Sequence, residues 1–215
     1  MPLKTNRGGT SGGATGGLSE DKIKSTRSLV SAREGDQALV DETLGVFRQV
    51  GEEYGAQVSD IVLAKIVGSR AIAYYDADGN IGINEKYFNK ATMDAAYAKC
   101  VEAGFHPSNG NKTALEAVVA HELGHKLTAD IAERMGMQSF DGLHAAADRV
   151  VGEARKRTSH SSKSSFASSI SGYATYNSTE TIAEAFSDVF CNGRNARAES
   201  RAVVDVIDSY LKGAR

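Results

Sequence analysis

The sequence predicts an α+β fold in which a small twisted sheet precedes a helical C-terminal half. Three observations lead to this prediction. Short apolar runs bounded by turn residues occupy residues 61–88, and an Asp-Gly turn joins two of them. Much of the remaining chain has apolar residues at helical spacing. With 215 residues and a hydrophobic fraction of 41%, the chain can bury a core as one domain.

The first 30 residues are predicted to form a flexible glycine-rich arm, so the folded domain is expected to span residues 31–215. Glycines alternate with Thr, Ser and Ala between residues 8 and 17. Such a segment has too few apolar side chains to offset the entropy lost on ordering. A phosphate-binding glycine loop is not indicated, because no strand-like run precedes it. The arm could order by contacting a larger assembly.

Charge and hydropathy exclude several classes of function. The net charge of -2 gives no electrostatic basis for binding nucleic acid or an anionic membrane. No apolar run is long enough to span a bilayer, and no apolar signal core is present, so synthesis in the cytoplasm is expected. Cys100 and Cys191 lie in apolar, helix-like runs, which favours buried free thiols over a disulfide.

The elements of the first half follow from apolar spacing and turn residues. Apolar residues at helical spacing within 40–54 predict a helix that ends at Gly55. The apolar run 61–67 predicts a buried strand. Asp76–Asn80 separates two β-prone runs, which predicts a hairpin. This acidic loop lacks the ligand spacing and the closing glutamate of a calcium loop.

A helix over residues 92–104 and a loop containing His106 come before the central helix. His106 stands beside a proline, which favours a surface position over a role as a metal ligand. Thr113 and Glu116 form a capping-box pattern that predicts where the central helix begins. Gly124 within that helix costs about 1 kcal/mol relative to alanine, so we expect another group to approach closely there.

The functional prediction depends on the stretch His121-Glu122-Leu123-Gly124-His125. Positions i and i+4 share a helical face, so both imidazoles can bind one ion with Glu122 beside it. Histidine nitrogen suits Zn²⁺, and a catalytic zinc keeps three protein ligands and an open water position. Glu122 is then placed to take a proton from that water. The alternative is a helix that carries two histidines without a metal.

A third ligand must come from outside the central helix. A third histidine at the position used by one extended form of the motif is excluded, because the chain has Ile131 there and Thr128 in place of the expected glycine. A carboxylate on a later helix remains. His144 and His160 have no partner at ligand spacing and are not predicted to bind metal.

The later helix offers several carboxylates. Glu180, Glu184 and Asp188 lie at i, i+4 and i+8, opposite an apolar stripe. Like charges on one face repel each other, and a nearby cation lowers that cost. A solvated acidic face, or a helix start capped by Asn177 and Glu180, would also explain the pattern. Spacing alone does not choose between Glu180 and Glu184 as the ligand.

Two further segments carry no predicted chemistry. Residues 158–171 are rich in serine and are expected to form a mobile loop near the site. Apolar residues within 203–211 form one stripe, which predicts a packing helix at the end of the chain.

The segment Ser171–Phe186 resembles the second signature of gluzincin-type zinc metallopeptidases related to anthrax lethal factor and the bacterial Pro-Pro endopeptidases. Metallopeptidase-like domains of bacteriophage head proteins share it. Their pattern has a tyrosine, an asparagine four residues later, a glutamate three further on, then Ala-Glu-Ala-Phe. The resemblance covers His121–His125 and Tyr173–Phe186, and the hairpin loosely. This chain departs from the family in its serine-rich insertion and at Gly172.

The resemblance implies a zincin-like metallopeptidase fold and a zinc-dependent endopeptidase acting on a peptide or protein. In it, Glu180 is the third Zn²⁺ ligand, Glu184 orients a ligand histidine, and Tyr173 donates a hydrogen bond to the oxyanion. Substrate is expected to lie along Ile81–Asn84, interpreted as an edge strand. The alternative is a virion-associated or other structural protein built on this fold, although such a protein has no need for Glu122.

Overall fold

The computed structural model describes residues 11–13, 16–18 and 20–213. Over these residues it has an α+β fold with a four-stranded mixed sheet and seven α-helices. The strands are β1 (Ser11–Gly13), β2 (Gly16–Leu18), β3 (Ile23–Ser28), β4 (Ile61–Ile66), β5 (Ala73–Tyr75) and β6 (Ile81–Asn84). The helices are α1 (Arg33–Tyr54), α2 (Lys90–Glu102), α3 (Ala114–Arg134), α4 (Phe140–Lys156), α5 (Lys163–Ile170), α6 (Ser178–Asn192) and α7 (Ala198–Leu211). None of the helices described has the length and apolar character needed to cross a bilayer.

The main sheet has the strand order β3-β4-β6-β5. Strand β6 pairs in parallel with β4 and antiparallel with β5, so the prediction that Ile81–Asn84 forms an edge strand is wrong. All four residues of β6 are buried, which suits an interior strand, and Gly82 leaves room for the Tyr74 ring that packs over it. Within this sheet the outer strand on that side is β5, which packs against α3.

The predicted hairpin is confirmed. Strands β5 and β6 pair from Tyr75 with Ile81 to Ala73 with Ile83. In the turn, Asp76 Oδ1 accepts hydrogen bonds from the backbone N–H groups of Asp78 at 3.0 Å and of Asn80 at 2.9 Å. The acidic side chain therefore stabilises the turn.

The N-terminal boundary needs a correction. Ile23–Ser28, which the prediction included in the flexible arm, forms β3 and pairs antiparallel with β4. Strand pairing uses backbone groups, so a polar segment can join a sheet when flanking residues such as Leu18 and Leu29, each 1% exposed, anchor it. Strands β1 and β2 form a separate hairpin beside β5. The rest of the predicted arm, residues 1–10, 14, 15 and 19, lies outside the described residues.

The helical half follows the sequence closely, with one exception. Helix α1 ends at Gly55, whose φ of 72° is left-handed, and Thr113 and Glu116 form the predicted capping box of α3. Part of the expected serine-rich loop is instead helix α5. The hydroxyl of Ser162 caps the N-terminus of α5, and the helix buries its own side chains Phe166 and Ile170. The N-terminal cap and the helical spacing of apolar residues therefore favour a helix here, although the segment is rich in serine.

The two cysteines are free thiols, as predicted. Both Cys100 and Cys191 are half-buried, whereas the prediction had them buried. Burial raises the pKa of Cys191 to about 12, so this thiol stays protonated at neutral pH.

Candidate metal centre

The site lies where α3 packs against α6. His121 and His125 stand one turn apart on α3, and Glu180 and Glu184 stand one turn apart on α6. Gly124 permits the contact, because a Cβ added there would lie 2.7 Å from the Cα of Ala183 on α6. The close approach expected at this glycine is therefore confirmed, and it brings the two pairs of side chains together.

Three atoms that could bind a metal converge between the helices. Glu180 Oε2 lies 3.3 Å from Nε2 of His121 and 3.3 Å from Nε2 of His125. All three atoms lie within 4.8 Å of one another. Zinc bonds of about 2.0–2.1 Å at tetrahedral angles would place two ligand atoms about 3.3–3.4 Å apart. The two distances from Glu180 Oε2 therefore fit a zinc ion.

The same three atoms have no hydrogen-bond partner among the described residues. Nε2 of His121, Nε2 of His125 and Oε2 of Glu180 are all buried. Leaving a buried polar atom unsatisfied costs about 1–3 kcal/mol. One cation bound between them would satisfy all three atoms at once, which is a second reason why this donor set fits a metal.

Charges around Glu180 support its carboxylate form. Burial alone would raise the pKa of Glu180, but the nearby imidazoles of His125 and His121 outweigh burial and hold that pKa at about 2. The carboxylate is therefore ionised at any pH near neutrality, as metal ligation requires.

Glu184 lies behind His121 and is held from three sides. Its Oε2 accepts a hydrogen bond from the Ser171 hydroxyl at 2.7 Å. Its Oε1 lies 2.9 Å from Nδ1 of His106, with which it shares a hydrogen bond. The same oxygen lies 2.8 Å from Nδ1 of His121, but this contact lacks the alignment of a hydrogen bond. Burial would raise the pKa of Glu184, but the two histidines lower it to about 2.

His106 was expected at the surface, and this prediction is wrong. Its side chain is 4% exposed, and its ring is stacked on that of Tyr97 with the centroids 5.6 Å apart. Burial would lower the pKa of His106, but the charge of Glu184 and the nearby side chains of Cys100 and Glu184 raise that pKa to about 9. The neighbouring proline suggested an exposed loop, and no helical or strand periodicity marks the position as buried.

Tyr173 and Glu122 complete the buried cluster. Tyr173 begins a short 3-10 turn (Tyr173–Thr175), is fully buried, and donates its hydroxyl to Glu180 Oε1 at 3.2 Å. Glu122 is fully buried beside His121 on α3. Burial lowers the pKa of His121, but its two carboxylate partners on α6 and the charge of Glu122 raise it well above the ordinary value.

Two other predicted features lie away from the site. Asp188, the third acid of the row, accepts hydrogen bonds from the Asn192 amide at 2.8 Å and from the backbone N–H of Arg197 at 3.0 Å, which connects α6 to the start of α7.

The two remaining histidines also lie away from the site. His160 Nε2 lies 2.7 Å from Oε1 of Glu199, and the ring of His144 packs on Phe140. Within the described part of the chain, neither histidine belongs to a group of three possible metal ligands.

Comparison with known proteins adds one finding. No curated protein and no solved structure matches this chain. A family model, that of peptidase family M48, matches residues 49–211, a range that includes every residue of the candidate centre. The match supports a zincin-type metallopeptidase, and it does not extend to the narrower resemblance to lethal factor or to phage head proteins. Because the model spans well over half of the sequence, the chain belongs to peptidase family M48, whose members are typically zinc-dependent peptidases.

Proposed function

We propose that this protein is a zinc-dependent endopeptidase with His121, His125 and Glu180 as its metal ligands. The observation that carries the proposal is the convergence of three buried ligand atoms, with Glu180 Oε2 at 3.3 Å from each imidazole Nε2. Zinc bound there supplies a Lewis acid that polarises the scissile carbonyl and lowers the pKa of a water toward about 7.

Glu122 is the proposed general base. Its carboxylate is fully buried on α3, next to the first histidine of the motif. A buried carboxylate beside the attacking water can take a proton from it and then pass that proton to the leaving amine. Proton transfer of this kind typically contributes about 10²–10⁴-fold to the rate.

Tyr173 is the proposed donor to the oxyanion that forms on the substrate carbonyl. Its hydroxyl lies 3.2 Å from Oε1 of Glu180, so the hydroxyl is next to the proposed ligand carboxylate. The ring is fully buried, so the donor is held in place before substrate arrives. Preorganised donors are effective because they need no reorientation during the reaction.

Glu184 is proposed to fix the tautomer of His121. Each nitrogen of this imidazole faces a different carboxylate: Nδ1 lies 2.8 Å from Glu184, and Nε2 lies 3.3 Å from Glu180. A proton kept on Nδ1 by Glu184 leaves the lone pair of Nε2 available to a metal.

Cleavage of a degenerate peptide library tests the proposal. The 215-residue chain loaded with one equivalent of Zn²⁺ is expected to cleave peptides, a chelator should abolish cleavage, and added Zn²⁺ should restore it. Zinc binding without cleavage of any peptide would instead support the structural protein built on a peptidase fold. Absence of zinc binding would refute the proposed metal centre and the peptidase activity that depends on it.

A further inference from the structure

We propose that His106 is a positioning residue of the metal centre, which holds Glu184 in the place where it orients His121. This inference rests on the proposed function, because it takes His121 as a zinc ligand. His106 is not itself a ligand: it faces Glu184, and its ring centroid lies 6.2 Å from that of His121. It therefore acts on the metal through Glu184.

The contact that carries the inference is made at one oxygen atom. Nδ1 of His106 lies 2.9 Å from Oε1 of Glu184, and Nδ1 of His121 lies 2.8 Å from the same oxygen. The other oxygen accepts the hydroxyl of Ser171. The carboxylate is thus fixed at both oxygens by residues from outside the two metal-binding helices.

Glu184 needs such partners because little water can reach it. Its side chain is 1% exposed, and the cavity it shares with His106, Tyr97 and Ser187 has a volume of about 10 Å³. A cavity needs roughly 10–15 Å³ to hold even one water molecule. An ionised buried carboxylate must therefore be satisfied by protein donors, and His106 is one of them.

His106 is itself held rigidly by aromatic rings. The ring is stacked on Tyr97, 5.6 Å between centroids and 5° between planes. Edge contacts with Phe105 at 5.1 Å and Tyr173 at 5.5 Å enclose it further. A locked ring can impose its own position on Glu184, whereas an exposed one could rotate away.

The loop that carries His106 is also joined to the segment that carries Tyr173. The backbone N–H of Gly172 donates to the carbonyl of Gly104 at 2.8 Å, and the N–H of Tyr173 donates to the carbonyl of Phe105 at 3.0 Å. One loop therefore supports two parts of the site, the proposed oxyanion donor and the carboxylate behind His121.

A pair of substitutions separates the hydrogen bond from the shape of the side chain. His106→Phe keeps an aromatic ring among Tyr97, Phe105 and Tyr173 and removes the Nδ1 donor. His106→Asn carries an amide N–H close to the position of Nδ1. His144→Phe, which alters a histidine outside the site, is the matched control.

Zinc affinity of the 215-residue protein is measured by competition with a chromophoric chelator, and the fold of each metal-free variant is checked by its thermal transition. His106→Phe is expected to bind zinc about 10–100-fold more weakly, the usual effect of losing a residue behind a metal ligand. His106→Asn should recover most of the affinity, and His144→Phe should equal the wild type. A folded His106→Phe variant with wild-type zinc affinity would overturn the inference.

A measurement on the unaltered protein covers the case in which His106→Phe does not fold. Side-chain ¹⁵N resonances of His106 are followed by NMR while zinc is added. The inference predicts a protonated Nδ1 whose resonance shifts with one equivalent of zinc, and an unchanged resonance would contradict it. If the wild type binds no zinc at all, the proposed function fails, an outcome distinct from failure of His106 alone.

Discussion

His121 and Glu184 are in contact across the α3–α6 interface, with Nδ1 of the histidine 2.8 Å from Oε1 of the glutamate. This contact leaves Nε2 of His121 facing Glu180, together with Nε2 of His125. The second glutamate of α6 thus directs the first histidine of α3 toward the centre. A metal ion bound at that centre, as proposed, would join the two helices through ligands from both.

Replacing the proposed general base separates chemistry from metal binding. Glu122→Gln is nearly isosteric but cannot accept a proton, so it should lower kcat by about 10²–10⁴-fold. Zinc content should stay at one equivalent, because the residue is not a proposed ligand. Peptide cleavage at the wild-type rate would refute the role of Glu122, and lost zinc would indicate a structural role.

Removing the hydroxyl of Tyr173 tests the proposed oxyanion donor. Tyr173→Phe keeps the buried ring and is expected to lower kcat by about 10²–10³-fold, the usual cost of losing one such donor. KM should change little, because the hydrogen bond forms in the transition state. Steady-state kinetics on one peptide measures both constants. A raised KM with unchanged kcat would show that the hydroxyl acts in binding.

Adding a methyl group at the helix crossing should destabilise the fold. In Gly124→Ala, the new Cβ would lie 2.7 Å from the Ala183 Cα and force α3 and α6 apart. Overpacking of this kind costs about 1–3 kcal/mol. The matched control is Gly152→Ala in α4, where a Cβ meets nothing within 4 Å and helix propensity should stabilise by about 0.5–1 kcal/mol.

Urea denaturation of the metal-free proteins gives the free energy of unfolding for both glycine variants. Equal stability of the two would contradict the tight contact at Gly124.

The stability of the metal-free protein should depend on pH through His106 and Glu184. The pKa of His106 is raised from 6.5 to about 9, so its contribution is complete below pH 6.5 and is lost as pH rises through 9. The pKa of Glu184 is lowered from 4.5 to about 2, so its contribution is complete above pH 4.5 and is lost as pH falls through 2.

This pair therefore contributes most between about pH 4.5 and 6.5. Thermal melts across pH 3–10, with zinc removed by chelator and dialysis, measure the effect. The His106→Phe variant should lose less stability between pH 6.5 and 9 than the wild type loses. Identical alkaline slopes for the two proteins would contradict the raised pKa.

Local features with a fixed period or a cap could be predicted from the sequence. The helix of His121–His125 begins at its capping box, α1 ends at Gly55, and the hairpin turns at Asp76–Asn80. Gly124 indicated a close contact because glycine is otherwise unfavourable inside a helix. Each of these signals depends on residues near one another in the chain.

Features that depend on distant partners were missed. The turn sequence predicted that β5 and β6 pair with each other. It could not show that β6 is the interior strand, because that depends on β4, which pairs with the other edge of β6. His106 is buried where it meets Glu184, a residue 78 positions later in the chain. Strand β3 forms on a mostly polar segment because β4 offers it a backbone edge. No local pattern encodes these pairings.

The zinc content of the wild type and of Glu180→Ala, after dialysis against buffer, tests the central claim most directly. The account predicts one equivalent of zinc per chain in the wild type and less than about a tenth of that in the variant, because one of the three ligands is lost. A folded Glu180→Ala protein that retains one equivalent of zinc would contradict the proposed centre.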